Sequence, residues 1–209
     1  SATVARAMSS SVDPAGANDP ADRDDVEDLE PVVVGSGTAT SVVSSDERAD
    51  ADLDPPIDVE RWATLARDVL VDEARDGELT LTFVDPDTMA ELNAEHMGVA
   101  GPTDVLSFPL DADMDPAELV ELLGEHAAPV LLGDVVVCPA VAAAAAPSHA
   151  GTFDDEIALL VVHGVLHVLG HDHVGDDDTA AMQARERHHL ERSHWRGPTP
   201  VGFSFVHRD

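Results

Sequence analysis

The chain has 209 residues, 44% of them apolar, which is enough for one domain with a hydrophobic core and excludes a fully disordered protein. Its 42 acidic residues against 11 basic residues, all arginine, give a net charge of −31, and such a field repels nucleic acid rather than attracting it. With a single cysteine, Cys138, no apolar run long enough for a membrane helix and no signal-peptide pattern, we expect a cytoplasmic protein that binds no membrane.

The excess of acidic residues has two explanations that the sequence leaves open. An acidic surface without lysine suits a protein that works at high salt, where charges are screened within a few ångströms. A genome biased towards alanine, aspartate and arginine would give the same composition. Neither explanation identifies a function.

In the first third of the chain, the pattern of apolar residues changes at Asp58. Residues 1–29 contain few large apolar side chains, and we predict a disordered acidic tail. The β-branched run at 31–34 predicts a first strand, and the polar residues 36–56 predict a loop. Apolar residues then recur at helical spacing to about Glu73, which predicts an amphipathic helix.

Strands and helices follow one another through the rest of the chain. The predicted strands are 79–83, 105–109 and 130–137. The predicted helices are 85–96, 115–124, 139–146, 154–169 and 178–195. The helix at 154–169 is apolar nearly all round, so it should be central and buried, and Gly170 should end it.

Two histidines interrupt this apolar helix. His163 and His167 are four residues apart and therefore share one helix face, and a left-handed turn at Gly170 would bring His173 back towards them. Three imidazoles can occupy three corners of a tetrahedron and leave the fourth to water, which is the catalytic form of a zinc site. The alternative is that these are core histidines bonded to backbone carbonyls, but two polar rings on one apolar face are costly unless paired.

The residue after the first histidine limits the chemistry. Metalloproteases place a glutamate there as the general base, whereas this chain has Gly164. A metalloprotease is therefore the least favoured hypothesis for the function.

Three segments together resemble a known family. The stretch from His163 to His173, HGVLHVLGHDH, is similar to the HGxLHLxGYDH signature of the YbeY family of endoribonucleases that mature ribosomal RNA. Leu92-Asn93 followed by the segment 101–109 (GPTDVLSFP), and the segment 133–139 (GDVVVCP), match two further signatures in the same order. The resemblance covers about residues 57–195 and not the first thirty.

This resemblance implies a fold and an activity. It implies a mixed α+β fold with a zincin-like metal site on the buried helix. Together with the predicted elements, we expect one such domain over residues 30–196, with a mixed sheet of about four strands packed on helices, followed by a tail at 197–209. The resemblance also implies a zinc-dependent, single-strand-specific endoribonuclease that matures the 3′ end of 16S ribosomal RNA and takes part in ribosome quality control. The expected partners are ribosomal RNA and small-subunit proteins.

Carried over by position, His163, His167 and His173 bind one zinc ion per chain. The catalytic group is then the metal-bound water, and no side chain is assigned as catalytic. A non-catalytic, metal-binding assembly factor of the ribosome is the alternative function.

Two positions depart from the family pattern. His171 stands where a tyrosine is usual, either as a proton carrier or as a solvated loop residue. Met97 stands where many members carry a catalytic arginine. Another arginine could substitute, the reaction could depend more on the metal, or the activity could be weak; Arg185 and Arg187 are the candidates for a substitute.

Candidate substrate contacts are Ser107, Arg185 and Arg187. Ser107 and Asp104 lie in a matching segment, where they either contact substrate or only bond the sheet edge and cap a turn. The basic last helix either contacts RNA or forms a solvated face in which its arginines pair with Glu186 and Glu191. Asp172 and Asp134 are candidates for orienting a ligand imidazole.

Overall fold

One mixed sheet organises the molecule in the computed structural model, which describes residues 30–36, 39–49, 53–110, 130–171 and 176–206. The strands are β1 (Val32–Val34), β2 (Thr40–Asp46), β3 (Gly77–Phe83), β4 (Val105–Pro109) and β5 (Leu131–Val137), in the spatial order β1-β2-β3-β5-β4. The three inner strands β2, β3 and β5 are parallel, and the two edge strands β1 and β4 are antiparallel to their neighbours.

Within the described ranges, five helices connect and cover these strands. They are α1 (Val59–Asp72), α2 (Pro86–His96), α3 (Pro139–Ala145), α4 (Phe153–Val168) and α5 (Asp176–His189). A 3₁₀ turn (Ala146–Ser148) follows α3, and a π-helical segment (Leu190–His194) continues α5. No helix in the described part of the chain is long and apolar enough to cross a membrane.

The α+β class is confirmed, but the expected sheet of about four strands is wrong, because the described residues alone form a sheet of five. The additional strand β2 lies within the predicted loop 36–56. Its buried face carries Thr40, Val42 and Ser44, and the two hydroxyls are bonded internally. Ser44 Oγ donates to the Leu81 carbonyl at 2.8 Å, and Thr40 Oγ1 donates to the Arg75 carbonyl at 3.1 Å. Small hydroxyl residues thus stand at buried positions where a strand usually has apolar ones, so the sequence pattern did not predict β2.

The main core lies between the sheet and the pair α1 and α4. Trp62, Leu70, Leu81 and Leu160 are among its fully buried members. A smaller apolar cluster, which includes Met89 and Cys138, lies beneath α2 and α3. Because β5 is covered on both faces, its sequence is almost continuously apolar instead of alternating.

The remaining predicted elements agree with the structure to within a few residues, except where they fall outside it. The predicted helix 115–124 and the predicted tail 1–29 lie outside the described residues. Beyond α5, part of the segment predicted as a C-terminal tail packs back on the domain. Phe205 is buried there, and its carbonyl accepts a 3.3 Å hydrogen bond from Gln183 Nε2.

Candidate metal centre

Helix α4 carries the candidate site and is defined at both ends by its own sequence. Thr152 caps the start by accepting from the Asp155 N–H at 3.1 Å, and acidic residues fill the first turn, where the helix dipole favours them. At the other end Gly170 has φ +84°, and the N–H groups of Gly170 and His171 donate to the carbonyls of His167 and Leu166. The predicted left-handed turn at Gly170 is therefore confirmed.

His163 and His167 lie side by side on one face of α4. Their ring centroids are 4.4 Å apart and the rings are inclined at 78°. His163 is buried and His167 is half-buried. The third candidate ligand, His173, and its neighbour Asp172 lie outside the described residues, so this geometry covers two of the three predicted ligands.

The imidazole ring of His163 is held by a carboxylate that the sequence analysis had considered for a solvated face of the last helix. Glu186 of α5 is fully buried, and its Oε1 lies 2.7 Å from His163 Nδ1. A carboxylate only accepts, so Nδ1 carries the proton and Nε2 keeps the lone pair that a metal needs. This carboxylate–imidazole arrangement is the one that typically orients metal-binding histidines. The alternative in which Glu186 paired with arginines on a solvated face is wrong.

Gly164 is closely packed, which explains why no glutamate occupies that position. A Cβ there would lie 2.6 Å from Val135 Cγ1 of β5, so any side chain would force the neighbouring atoms to shift. Ser107 of β4 lies over the same residue, and its Oγ donates to the Gly164 carbonyl at 3.2 Å. The sheet thus occupies the space in which the general base of a metalloprotease would stand.

His171 lies against the end of α1. Its Nε2 is 3.6 Å from Glu73 Oε2, and the ring is only partly exposed. Burial lowers the pKa of His171, and the charge of Arg185 lowers it further, against the opposing effect of Glu73. The imidazole is therefore neutral near pH 7 and is not a fully solvated loop residue.

Comparison with known proteins identifies the family. The family model described as "Endoribonuclease YbeY" matches residues 48–194. This chain belongs to the endoribonuclease YbeY family. The match confirms the predicted family and its enzyme class.

Two curated relatives bear the name of the family model, and one solved structure was also matched. A Thermobifida fusca protein named "Endoribonuclease YbeY" is 45% identical over 130 residues, which are 61% of this chain and 80% of the relative. A Salinispora tropica protein of the same name is 42% identical over 149 residues, 68% of this chain and 90% of the relative. A Thermotoga maritima protein solved in solution is 27% identical, with a TM-score of 0.46, and the match covers 66% of this chain and 83% of that chain.

The segment 101–104 (GPTD), part of one of the predicted family signatures, is tied to α2 and to the sheet. Asn93 Nδ2 donates to the Gly101 carbonyl at 2.8 Å, and the Cys138 N–H donates to the Asp104 carbonyl at 2.8 Å. The Asp104 carboxylate accepts from the Val105 N–H at 2.8 Å, as expected of a residue that caps a turn. Met97, which the resemblance aligns with an arginine of many family members, is the exposed C-terminal cap of α2.

The two arginines predicted to bind substrate lie on the exposed face of α5, where each has an intramolecular partner. Arg185 Nη1 contacts both oxygens of Glu73, at 2.9 and 2.7 Å. The Arg187 guanidinium stacks 4.9 Å above the Phe205 ring. Arg185 therefore does pair with an acidic group, but that group is Glu73 at the end of α1 rather than Glu186.

Sequence reasoning missed Glu186, although the sequence contains a signal for it. The buried stripe of α5 and its extension consists of Met182, Glu186, His189 and Leu190, at the i, i+4, i+7, i+8 spacing of a core-facing helix. Glu186 and His189 therefore occupy positions where apolar residues are expected. A charged residue at a core position indicates a buried partner, which here is His163.

Proposed function

We propose that this chain is a zinc-dependent endoribonuclease that cleaves single-stranded RNA. We propose further that it matures the 3′ end of 16S ribosomal RNA, with a role in ribosome quality control, and that it acts in the cytoplasm with ribosomal RNA and small-subunit proteins as partners. Family membership supports the enzyme class, and the relatives are named endoribonucleases. The observation that supports a metal most directly is the hydrogen bond from His163 to the buried carboxylate of Glu186.

We assign the zinc to His163, His167 and His173, one ion per chain. The two described ligands fit this role, since they are adjacent on one helix face and one of them has its tautomer fixed for binding through Nε2. A zinc ion held there would supply Lewis-acid chemistry at the scissile phosphate. The same assignment places a zincin-like site on the central helix of a domain spanning residues 30–196.

The residues around the proposed zinc site orient its ligands and bind the RNA substrate. Glu186 holds the proton of His163 on Nδ1, and Gly164 allows β4 and β5 to lie directly against the ligand helix. Ser107 is bonded to the Gly164 carbonyl, so its oxygen stands next to the ligand helix, where it can also accept from a ribose hydroxyl. Arg185 and Arg187 remain our proposed phosphate contacts, and RNA binding by Arg185 must compete with Glu73.

The test uses the full chain and a single-stranded RNA spanning the 3′ end of the 16S precursor. We expect cleavage at defined positions, its loss when the zinc is removed with a chelator, and its return when zinc is added back. Mapping the product ends identifies the sites. Cleavage that is unaffected by complete zinc removal would disprove the metal assignment, and no cleavage by zinc-loaded protein at any salt concentration would disprove the nuclease.

The alternative, a non-catalytic ribosome assembly factor, is favoured by one observation. The position of the family's arginine is an exposed methionine, Met97, with no charge to stabilise a developing anion. Met97→Arg should raise the cleavage rate if this position faces the phosphate. An assembly factor would instead associate with the small subunit while neither form cleaves RNA.

A further inference from the structure

A second group of metal-binding side chains lies where the end of α1 meets the end of α5. Asp72 of α1 and His188 and His189 of α5 each offer one ligand atom, and these atoms lie within 4.8 Å of one another. Glu73, next to Asp72, contacts the same cluster through His189. None of these residues belongs to the proposed zinc site on α4.

The key residue of this cluster is His189, whose side chain is only 1% exposed. Its Nε2 lies 2.9 Å from Glu73 Oε1, so Nε2 carries a proton and donates it. Its Nδ1 lies 3.6 Å from Asp72 Oδ2, too far for a hydrogen bond. In the neutral imidazole, the lone pair of Nδ1 faces a carboxylate oxygen across a short gap, an arrangement that a cation between the two atoms would stabilise.

The width of this gap matches a metal bridge. With metal–nitrogen and metal–oxygen distances near 2.0–2.2 Å and tetrahedral angles, the two ligand atoms should be about 3.4 Å apart. The observed separation of 3.6 Å needs almost no rearrangement. His188 Nε2 now donates to the same Asp72 oxygen at 2.7 Å. To bind the ion, the ring must carry its proton on Nδ1 instead and withdraw slightly, which its 56% exposed side chain permits.

Glu73 stands in the same relation to His189 as Glu186 does to His163. In both cases a carboxylate binds one ring nitrogen and leaves the other for a metal. Although burial acts to raise them, the pKa values of Asp72 and Glu73 are lowered by the hydrogen bonds from His188 and His189 and by the charges of Arg192 and Arg185. Both carboxylates are therefore ionised at neutral pH.

We propose that Asp72, His188 and His189 form a second binding site for a divalent transition-metal ion, with Glu73 orienting His189. Two imidazoles and one carboxylate are the donor set of Zn²⁺ rather than of Mg²⁺ or Ca²⁺, which prefer oxygen ligands alone. An open cavity of about 260 Å³, lined by Asp68, Asp72 and Arg192, adjoins the cluster and gives the ion a route from solvent. Such an ion would clamp α1 to α5 and so support the helix that carries Glu186.

The experiment counts zinc ions bound to the untagged full chain after complete metal removal and equilibrium dialysis against Zn²⁺. The test variant is His188→Gln, which alters an exposed side chain, and the matched control is His96→Gln, an exposed histidine outside both clusters. We expect His188→Gln to bind one zinc fewer per chain than the wild type and His96→Gln to bind the same number.

Two further variants test the second site separately from the zinc site that we propose on α4. Arg192 Nη1 lies 2.9 Å from Asp72 Oδ1 and competes for this carboxylate, so Arg192→Gln should tighten the second site severalfold. In the His167→Ala background, His188→Gln should still remove one zinc, whatever becomes of the site on α4. The proposal is overturned if His188→Gln leaves the zinc count unchanged in both backgrounds, and failure of the α4 site would show instead as no loss with His167→Ala.

Discussion

Helices α4 and α5 contribute to the candidate metal centre in opposite ways. In α4 two histidines interrupt a helix that is buried on almost every side, so the polar residues are conspicuous. In α5 a glutamate and a histidine occupy a narrow buried stripe of a helix that is otherwise polar and exposed, so they are inconspicuous. A functional residue is visible in a sequence to the extent that it contrasts with the rest of its own helix.

The comparison also separates the chemical roles of the two helices. The polar residues of α4 are imidazoles, which can bind a metal directly. Those of α5 are held to the interior by partners on other helices: Glu186 by His163 of α4, and His189 by Glu73 at the end of α1. At the proposed zinc site on α4, therefore, α4 supplies two ligands and Glu186 of α5 orients one of them, His163.

The largest effect should come from the α4 side. His167→Ala removes one of three proposed ligands, and two imidazoles hold zinc poorly. We expect the chain to lose one bound zinc ion and RNA cleavage to fall to background, as measured by metal analysis and product mapping on the same samples. Leu169→Ala, at the end of the same helix, is the control and should retain both zinc and cleavage.

The α5 side should produce a smaller effect on the same measurement. Glu186→Gln keeps an acceptor for His163 Nδ1 but removes the charge, and loss of such an orienting partner typically costs 10–100-fold in metal affinity. Zinc competition titrations would measure this change. Glu191→Gln is the matched control, since the Glu191 carboxylate accepts from the backbone and hydroxyl of Thr199 and lies outside the described part of the zinc site. Equal zinc affinity in the two variants would show that Glu186 is a structural residue alone.

Packing of α4 against the sheet can be tested through Gly164. Glycine to alanine normally stabilises a helix by about 1 kcal/mol. Here the added Cβ would meet Val135 Cγ1 at 2.6 Å, so we expect Gly164→Ala to lower the free energy of unfolding by about 1–3 kcal/mol. Urea denaturation measures it, and Ala180→Gly on the exposed face of α5 should cost only about 1 kcal/mol. A stabilised Gly164→Ala would contradict the packing described for β5.

The smallest effect concerns the exposed charges of α5. The Arg192–Asp72 pair should contribute at most about 1 kcal/mol and should weaken as salt screens it. Net repulsion from a charge of −31 is screened as well, so the wild-type melting temperature should rise between low and molar potassium chloride. The difference between wild type and Arg192→Gln should shrink over the same range. A flat wild-type curve would favour biased composition over adaptation to salt.

Local sequence patterns determined those parts of the molecule in which each residue has the polarity and backbone preference that its position in the fold requires. Helix α4, its end at Gly170 and the adjacency of His163 and His167 follow from helical periodicity and from the left-handed turn that glycine allows. Most strands follow from apolar runs. The family follows from three ordered motifs, and its model matches residues 48–194.

Only the tertiary structure decided the rest, because those residues depend on partners distant in sequence. Strand β2 buries hydroxyls that are satisfied by carbonyls of Arg75 and Leu81, so its own sequence lacks the apolar alternation of a strand. Glu186 is buried because His163, 23 residues earlier, donates to it. Asp72 and Glu73 meet His188 and His189 across more than a hundred residues. Burying a polar group costs free energy unless the fold brings a hydrogen-bond partner to it. Local periodicity in the sequence carries no information about that partner.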